Sequence, residues 1–186
     1  MHRIRVNRKL QRRTSKRVYR LAVAHDTAQI TDTLDKVIDP GILHLVTELR
    51  IARLKTTASC EGHLGRGEPA PWIDVGEYTV ARLGHKSTTS AMLARNLIQQ
   101  HKLLQLLDSY YRHRTVPADQ RLILIPFGAS GSFRMTPQGA PLQVSLPRAA
   151  QRRNLSRYLN EMERFAEFLK ESETSFGDAH GLRESG

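Results

Sequence analysis

The chain has 186 residues, with 29 Lys plus Arg against 18 Asp plus Glu and a single cysteine. That length fits one domain with a real hydrophobic core. One cysteine excludes an internal disulfide framework and a four-cysteine zinc site, and no apolar run reaches the roughly 18 residues of a membrane-spanning helix.

Positions 1–20 hold nine Arg or Lys and no acidic residue, while the rest of the chain holds 20 basic and 18 acidic residues. Most of the +11 net charge therefore sits in one basic arm, over residues 1–25. The arm residues Arg3, Arg5, Arg8, Lys9, Arg12, Arg13, Lys16, Arg17 and Arg20 are candidates for an RNA or DNA contact. Such a contact would be electrostatic, salt-sensitive and largely blind to sequence. The alternative is a solvated leader. After the arm only Leu21-Ala22-Val23-Ala24 is apolar, too short for the core of a secretion signal. With a lone thiol, this points to a reducing, cytoplasmic location and no membrane partner.

Residues 26–38 predict a short helix capped at Asp26 or Thr27, ended by Asp39-Pro40-Gly41. Ile42, Leu45, Val46 and Leu49 then recur at helical spacing, with Pro40 where a helix begins. Residues 51–59 change period and predict a strand, 60–72 a Gly- and Pro-rich loop, and 72–80 a second strand. After a connector at 84–90, residues 90–113 form the longest helical pattern, with Leu93, Leu97, Leu103, Leu104, Leu107, Tyr110 and Tyr111 on its apolar side. Residues 121–128 are the most hydrophobic strand and are expected at the centre of the sheet. Two further strands are expected in Ser130–Pro137 and Ala140–Leu146, joined by a turn at Pro137-Gln138-Gly139. An amphipathic helix over 154–170, with Asn154 as its cap, closes the domain. The expected architecture is an α/β or α+β domain over residues 26–172, one mixed sheet of about five strands with packed helices, followed by a polar tail at 173–186.

Chemistry concentrates at Thr56-Thr57-Ala58-Ser59-Cys60-Glu61-Gly62-His63, at the end of a predicted strand, where such folds place their sites. Cys60, Glu61 and His63 bring a thiol, a carboxylate and an imidazole into four residues. Cys60 is a candidate nucleophile, which requires a depressed pKa. Cys60 and His63 are equally two candidate metal ligands, with His85 or another His to complete the set. A third reading is a ligand-binding turn from Ser59 to His63, in which Gly62 lets the backbone approach the ligand and His63 hydrogen-bonds it. Trp72 follows a stiff Pro69-Ala70-Pro71 loop and can stack on a ring or seal a core edge. Gly128-Ala129-Ser130-Gly131 can present amides to an anion, with Arg134 as counter-charge, or be a plain hairpin turn.

Ile42–Val46, the Ser59-Cys60-Glu61-Gly62-His63 motif and Pro71-Trp72-Ile73-Asp74-Val75 together resemble a widespread group of uncharacterised bacterial and phage proteins. The likeness covers about residues 38–80 and implies no activity. More distantly, Thr56, Thr57, Ser59, Cys60 and Gly62 resemble a motif of the wybutosine-pathway tRNA methyltransferase family, with Glu61 and His63 replacing Ser and Arg. That resemblance implies S-adenosylmethionine and a tRNA guanine derivative; the residues themselves name no cofactor. The functional expectation is an enzyme acting on a nucleic acid or nucleotide-like substrate at the 59–63 turn. The alternatives are a non-enzymatic nucleic-acid-binding module using the arm, and a metal-binding hydrolase using Cys60 and His63.

Overall fold

The computed structural model describes residues 2–30, 36–65, 67–77 and 89–179. Its elements in chain order are helix α1 (His2–Gln29), α2 (Pro40–Ile51), strands β1 (Thr56–Cys60) and β2 (Trp72–Val75), α3 (Thr89–Tyr111), β3 (Leu122–Phe127), β4 (Ser132–Pro137) and α4 (Arg148–Ala179). Two short 3₁₀ turns, Ala118–Gln120 and Ala140–Ser145, complete the order.

The four strands form one sheet in the order β1-β2-β4-β3, with every pair antiparallel. The expected single sheet with packed helices is thus present, with four strands among the described residues rather than five and without parallel pairing. The segment 140–146 accounts for the fifth strand: it winds into a 3₁₀ helix with Pro141 in its first turn. Proline fixes φ and lacks the N–H a ladder needs, so the segment turns rather than pairs.

β3, expected at the centre, lies at the sheet edge, and β2 and β4 are the inner strands. Pro126 within β3 explains the placement, because a proline is tolerated in a strand whose N–H side need not pair. Directly opposed residues share a face. Ile73 faces Met135 and Leu124 faces Met135, and these join Val75, Phe133 and Leu122 under the helices. From α2 come Ile42, Leu45, Val46 and Leu49, the four expected positions. From α4 come Met162, Phe165, Ala166 and Leu169, with Tyr158 fully buried beside them. Of the seven expected α3 positions, Leu103, Leu107, Tyr110 and Tyr111 enter the core, while Leu93, Leu97 and Leu104 stay exposed; Met92 is buried as well. Tyr111 ties helix to sheet through its hydroxyl, which accepts a hydrogen bond from the Leu122 backbone N–H at 2.8 Å.

Helix boundaries also move. The expected helix at 26–38 is the end of α1 followed by non-helical residues 36–39; residues 31–35 lie outside the described part, as do 78–88 and 180–186. The arm is helical from His2 and continues unbroken to Gln29. α4 begins six residues before Asn154, which is therefore an interior residue rather than a cap. Its amide donates to Gln143 Oε1 at 3.2 Å. At the other end α4 runs on to Ala179, past residue 172. Among the described residues no helix is long and apolar enough to cross a membrane.

Candidate functional site

The site begins with the start of α2. Asp39 occupies the N-cap position with extended backbone (φ −60°, ψ 137°), but its carboxylate makes no cap hydrogen bond to its own helix. It accepts instead from the Glu61 N–H at 3.0 Å. Glu61 returns the exchange: its carboxylate accepts from the Gly41 N–H at 2.8 Å, in the first turn of α2. The helix is thus capped from the motif loop. A carboxylate there satisfies an otherwise orphaned donor and lies at the positive end of the helix dipole. Gly41 makes this approach open, since a methyl group at its Cα would stand 2.7 Å from the Glu61 carboxylate.

Relieved of capping, Asp39 reaches the end of β1. Its Oδ2 lies 3.6 Å from His63 Nε2. Asp39, Cys60 and His63 each present one donor atom, and all three atoms fall within 4.8 Å of one another, each side chain partly exposed. β1 ends at Cys60, opposite Trp72, so the thiol faces the side of the sheet away from the helical core. Gly62, at φ +85°, bends the chain back so that its N–H donates to Cys60 Sγ at 3.3 Å. The His63 N–H is tied to the Glu68 carbonyl at 3.1 Å. Ser59 alternates to the opposite pleat, opposed to Ile73, and stands outside the cluster.

Burial pushes the Cys60 thiol above its ordinary pKa, and the Asp39 and Glu61 carboxylates add to this against the opposing Gly62 N–H. These surroundings work against the thiolate that a nucleophilic role for Cys60 requires. The same negative surroundings favour a cation between the three donors, and a bound metal deprotonates a coordinating thiol outright.

Beside the cluster lies a second polar group. Asp74 and Arg134 oppose each other across β2 and β4, joined by two hydrogen bonds of 2.7 and 3.0 Å. The guanidinium lies over the Trp72 ring, 3.9 Å from its centroid, and its Nη1 is 3.6 Å from Glu68 Oε1. Burial works against the Arg134 charge, but Asp74, with Glu68 and Cys60 adding, outweighs it and raises the pKa. Trp72 and Arg134 thus form a wall next to Cys60. Arg134 spends its donors on two carboxylates and none on the Gly128–Gly131 segment, which is a hairpin turn between β3 and β4 anchored by Asn96 Nδ2 on the Ser130 carbonyl at 2.8 Å.

The basic arm divides. Arg20 is paired with buried Glu48 of α2. Lys16 and Arg17 are exposed. The side chains of Arg3, Arg5, Arg8, Lys9, Arg12 and Arg13 lie outside the described part, as does His85, the suggested additional metal ligand. Asp39 is the residue that sequence reasoning missed. Its signal was an acid directly before Pro40, which reads as an ordinary helix cap. No family model, curated protein or solved structure matches this chain.

Proposed function

We propose that the protein is a metal-dependent hydrolase whose centre is a zinc ion held by Asp39, Cys60 and His63. The observation that carries this is the convergence of three different ligand types within 4.8 Å. Tetrahedral zinc with bonds of about 2.0–2.3 Å sets its donors roughly 3.3–3.8 Å apart, so small side-chain movements close the site. A thiolate, an imidazole and a carboxylate suit zinc better than magnesium or calcium. Three protein ligands leave the fourth position open, the arrangement of catalytic rather than structural zinc. Held by Asp39, Cys60 and His63, zinc would supply the Lewis-acid chemistry for adding water to an ester, which gives an acid and an alcohol. Glu61 stays on the α2 backbone and orients the loop.

The test is metal analysis of the full chain after dialysis against one equivalent of zinc, beside Asp39→Ala, Cys60→Ala, His63→Ala and Glu61→Gln. Expected are about one zinc per chain for the wild type and Glu61→Gln, and none for the three ligand variants, with circular dichroism unchanged. A folded wild type that retains no metal overturns the centre. A loaded wild type that cleaves neither an activated phosphodiester nor a carboxylic ester faster than its His63→Ala variant overturns the hydrolase.

A further inference from the structure

The first ten residues of α4, Arg148-Ala-Ala-Gln-Arg-Arg-Asn-Leu-Ser-Arg157, carry four arginines and no acid. Apart from these and the arm, the chain holds 16 basic and 18 acidic residues, so its excess positive charge is confined to two places. Arg148, Arg152, Arg153 and Arg157 are all exposed. Among the described residues none of them makes an ion pair, whereas Arg95, Arg112, Arg114 and Arg134 all do. Arg148, in the first turn, is also unfavourably placed, because a cation at a helix N-terminus opposes the macrodipole. Neither helix stability nor local pairing accounts for them.

Arg148 brings one end of this group to the site. Opposite the buried stripe through Tyr158 and Met162, Arg148 and Arg152 lie on one flank of the solvent side of the helix and Arg153 and Arg157 on the other, each pair four residues apart. The same part of α4 borders the motif loop: the space at Gly62 is closed by Leu155, and that at Gly65 by the Arg148 guanidinium, 3.1 Å from where a methyl group would stand. From Arg148 to Arg157 the helix rises roughly 13 Å. That is the length of about four phosphates of one nucleic-acid strand at 3.4 Å each.

We infer that this arginine face binds the phosphate backbone of a polynucleotide and lays it beside the Asp39–Cys60–His63 cluster. The inference deepens the hydrolase reading, on which it rests for the fate of the bound strand, by naming the substrate class. Arginine matches phosphate oxygens in planar, two-pronged geometry. Binding through four such contacts is backbone-directed and insensitive to base sequence.

The experiment is fluorescence anisotropy of the full chain with labelled 12-nucleotide RNA and DNA of one sequence, over a KCl series in EDTA. Three variants are compared with wild type: Arg148, Arg152, Arg153 and Arg157 all to Gln; Arg153→Gln with Arg157→Gln; and Lys16→Gln with Arg17→Gln. Because the substituted side chains are exposed, melting curves should coincide, and the double variant serves if the fourfold one does not fold. Removing four contacts to a single strand should lower the slope of log K against log salt by about 3, and removing two by about 1.4. Affinity at 100 mM KCl should fall at least tenfold in the fourfold variant. RNA and DNA bound equally, or one preferred, both fit a backbone contact. The inference is overturned if the slope is unchanged in the α4 variants, if only the Lys16/Arg17 variant loses binding, or if the protein binds phosphatidylserine vesicles and neither oligonucleotide. Since EDTA removes metal, failure here leaves the zinc centre standing, and absence of zinc leaves this binding standing.

Discussion

A methyl group added at two glycines of the β1–β2 loop meets very different surroundings. At Gly62 it would stand 2.8 Å from the Ala70 carbonyl carbon and 2.8 Å from Leu155, with φ at +85°. At Gly67, φ is +68° and nothing lies within 4 Å. Both substitutions meet the left-handed backbone penalty, but only the first also presses on backbone that cannot yield. Gly62→Ala should destabilise by about 2–5 kcal/mol and Gly67→Ala by about 1 kcal/mol. Urea unfolding of the two variants checks this, and equal losses would mean that the loop does not pack on α4 as described. The motif was legible in the sequence because Cys60, Gly62 and His63 sit within four residues. Asp39 was not, because it stands 21 positions before Cys60 and its role depends on Glu61 having taken over the cap of α2.

At the scale of elements, one buried side chain holds the far end of the sheet. Asn96 of α3 is fully buried and bonds the Glu77 N–H at 2.7 Å and the Glu77 and Ser130 carbonyls at 2.8 Å each. It thus joins the chain after β2 to the β3–β4 turn. Asn96→Ala leaves three backbone groups without that partner and should cost about 3 kcal/mol, read as a shift in the urea midpoint at constant slope. Glu77 itself titrates. Hydrogen bonding from Arg95 holds its carboxyl below its ordinary value of 4.5, with Lys55 assisting against partial burial. A depressed folded-state pKa stabilises the fold above the unfolded value, and that contribution is lost as pH falls through the folded value. Glu77→Gln should therefore be less stable than wild type at pH 7, by under about 1 kcal/mol for so exposed a pair. The difference should shrink below pH 4.5 and vanish at lower pH; melting curves at pH 7, 4.5 and 3 test it. Periodicity located α2 and β4, whose apolar residues the core absorbs, and showed that α3 and α4 exist, although Leu93, Leu97 and Leu104 of α3 stay exposed and α4 begins six residues before Asn154. It misplaced β3 because hydrophobicity marks a strand without marking its neighbours; Pro126 is the residue in it that signals an edge. It misread 140–145 because alternating apolar residues are not a strand when no N–H side is available beside them.

At the scale of the molecule, α1 stands apart from the layer of α2, α3 and α4 on the sheet. Thr27 near its end is fully buried and Arg20 is paired with Glu48, but Val18, Tyr19 and Leu21 are largely exposed. Over the residues of α1 whose side chains are described, 14–29, few are buried, and such a segment opens locally at a free-energy cost well below that of global unfolding. Residues 14–19 should therefore exchange amide hydrogens at least about a hundredfold faster than residues 158–169 of α4, whose side chains line the core. Hydrogen-exchange mass spectrometry resolves the two segments. Arg20→Gln should widen the gap by releasing α1 from α2, while the protection of α4 changes little. Glu48 would then be left beside His44, 3.7 Å away on its own helix, which is itself bonded to Glu163 of α4 at 2.7 Å. That contact keeps the α2–α4 packing intact without α1. Equal protection of α1 and α4 in the wild type would instead make α1 part of the cooperative core, and its basic residues would then be held in a fixed direction relative to the sheet.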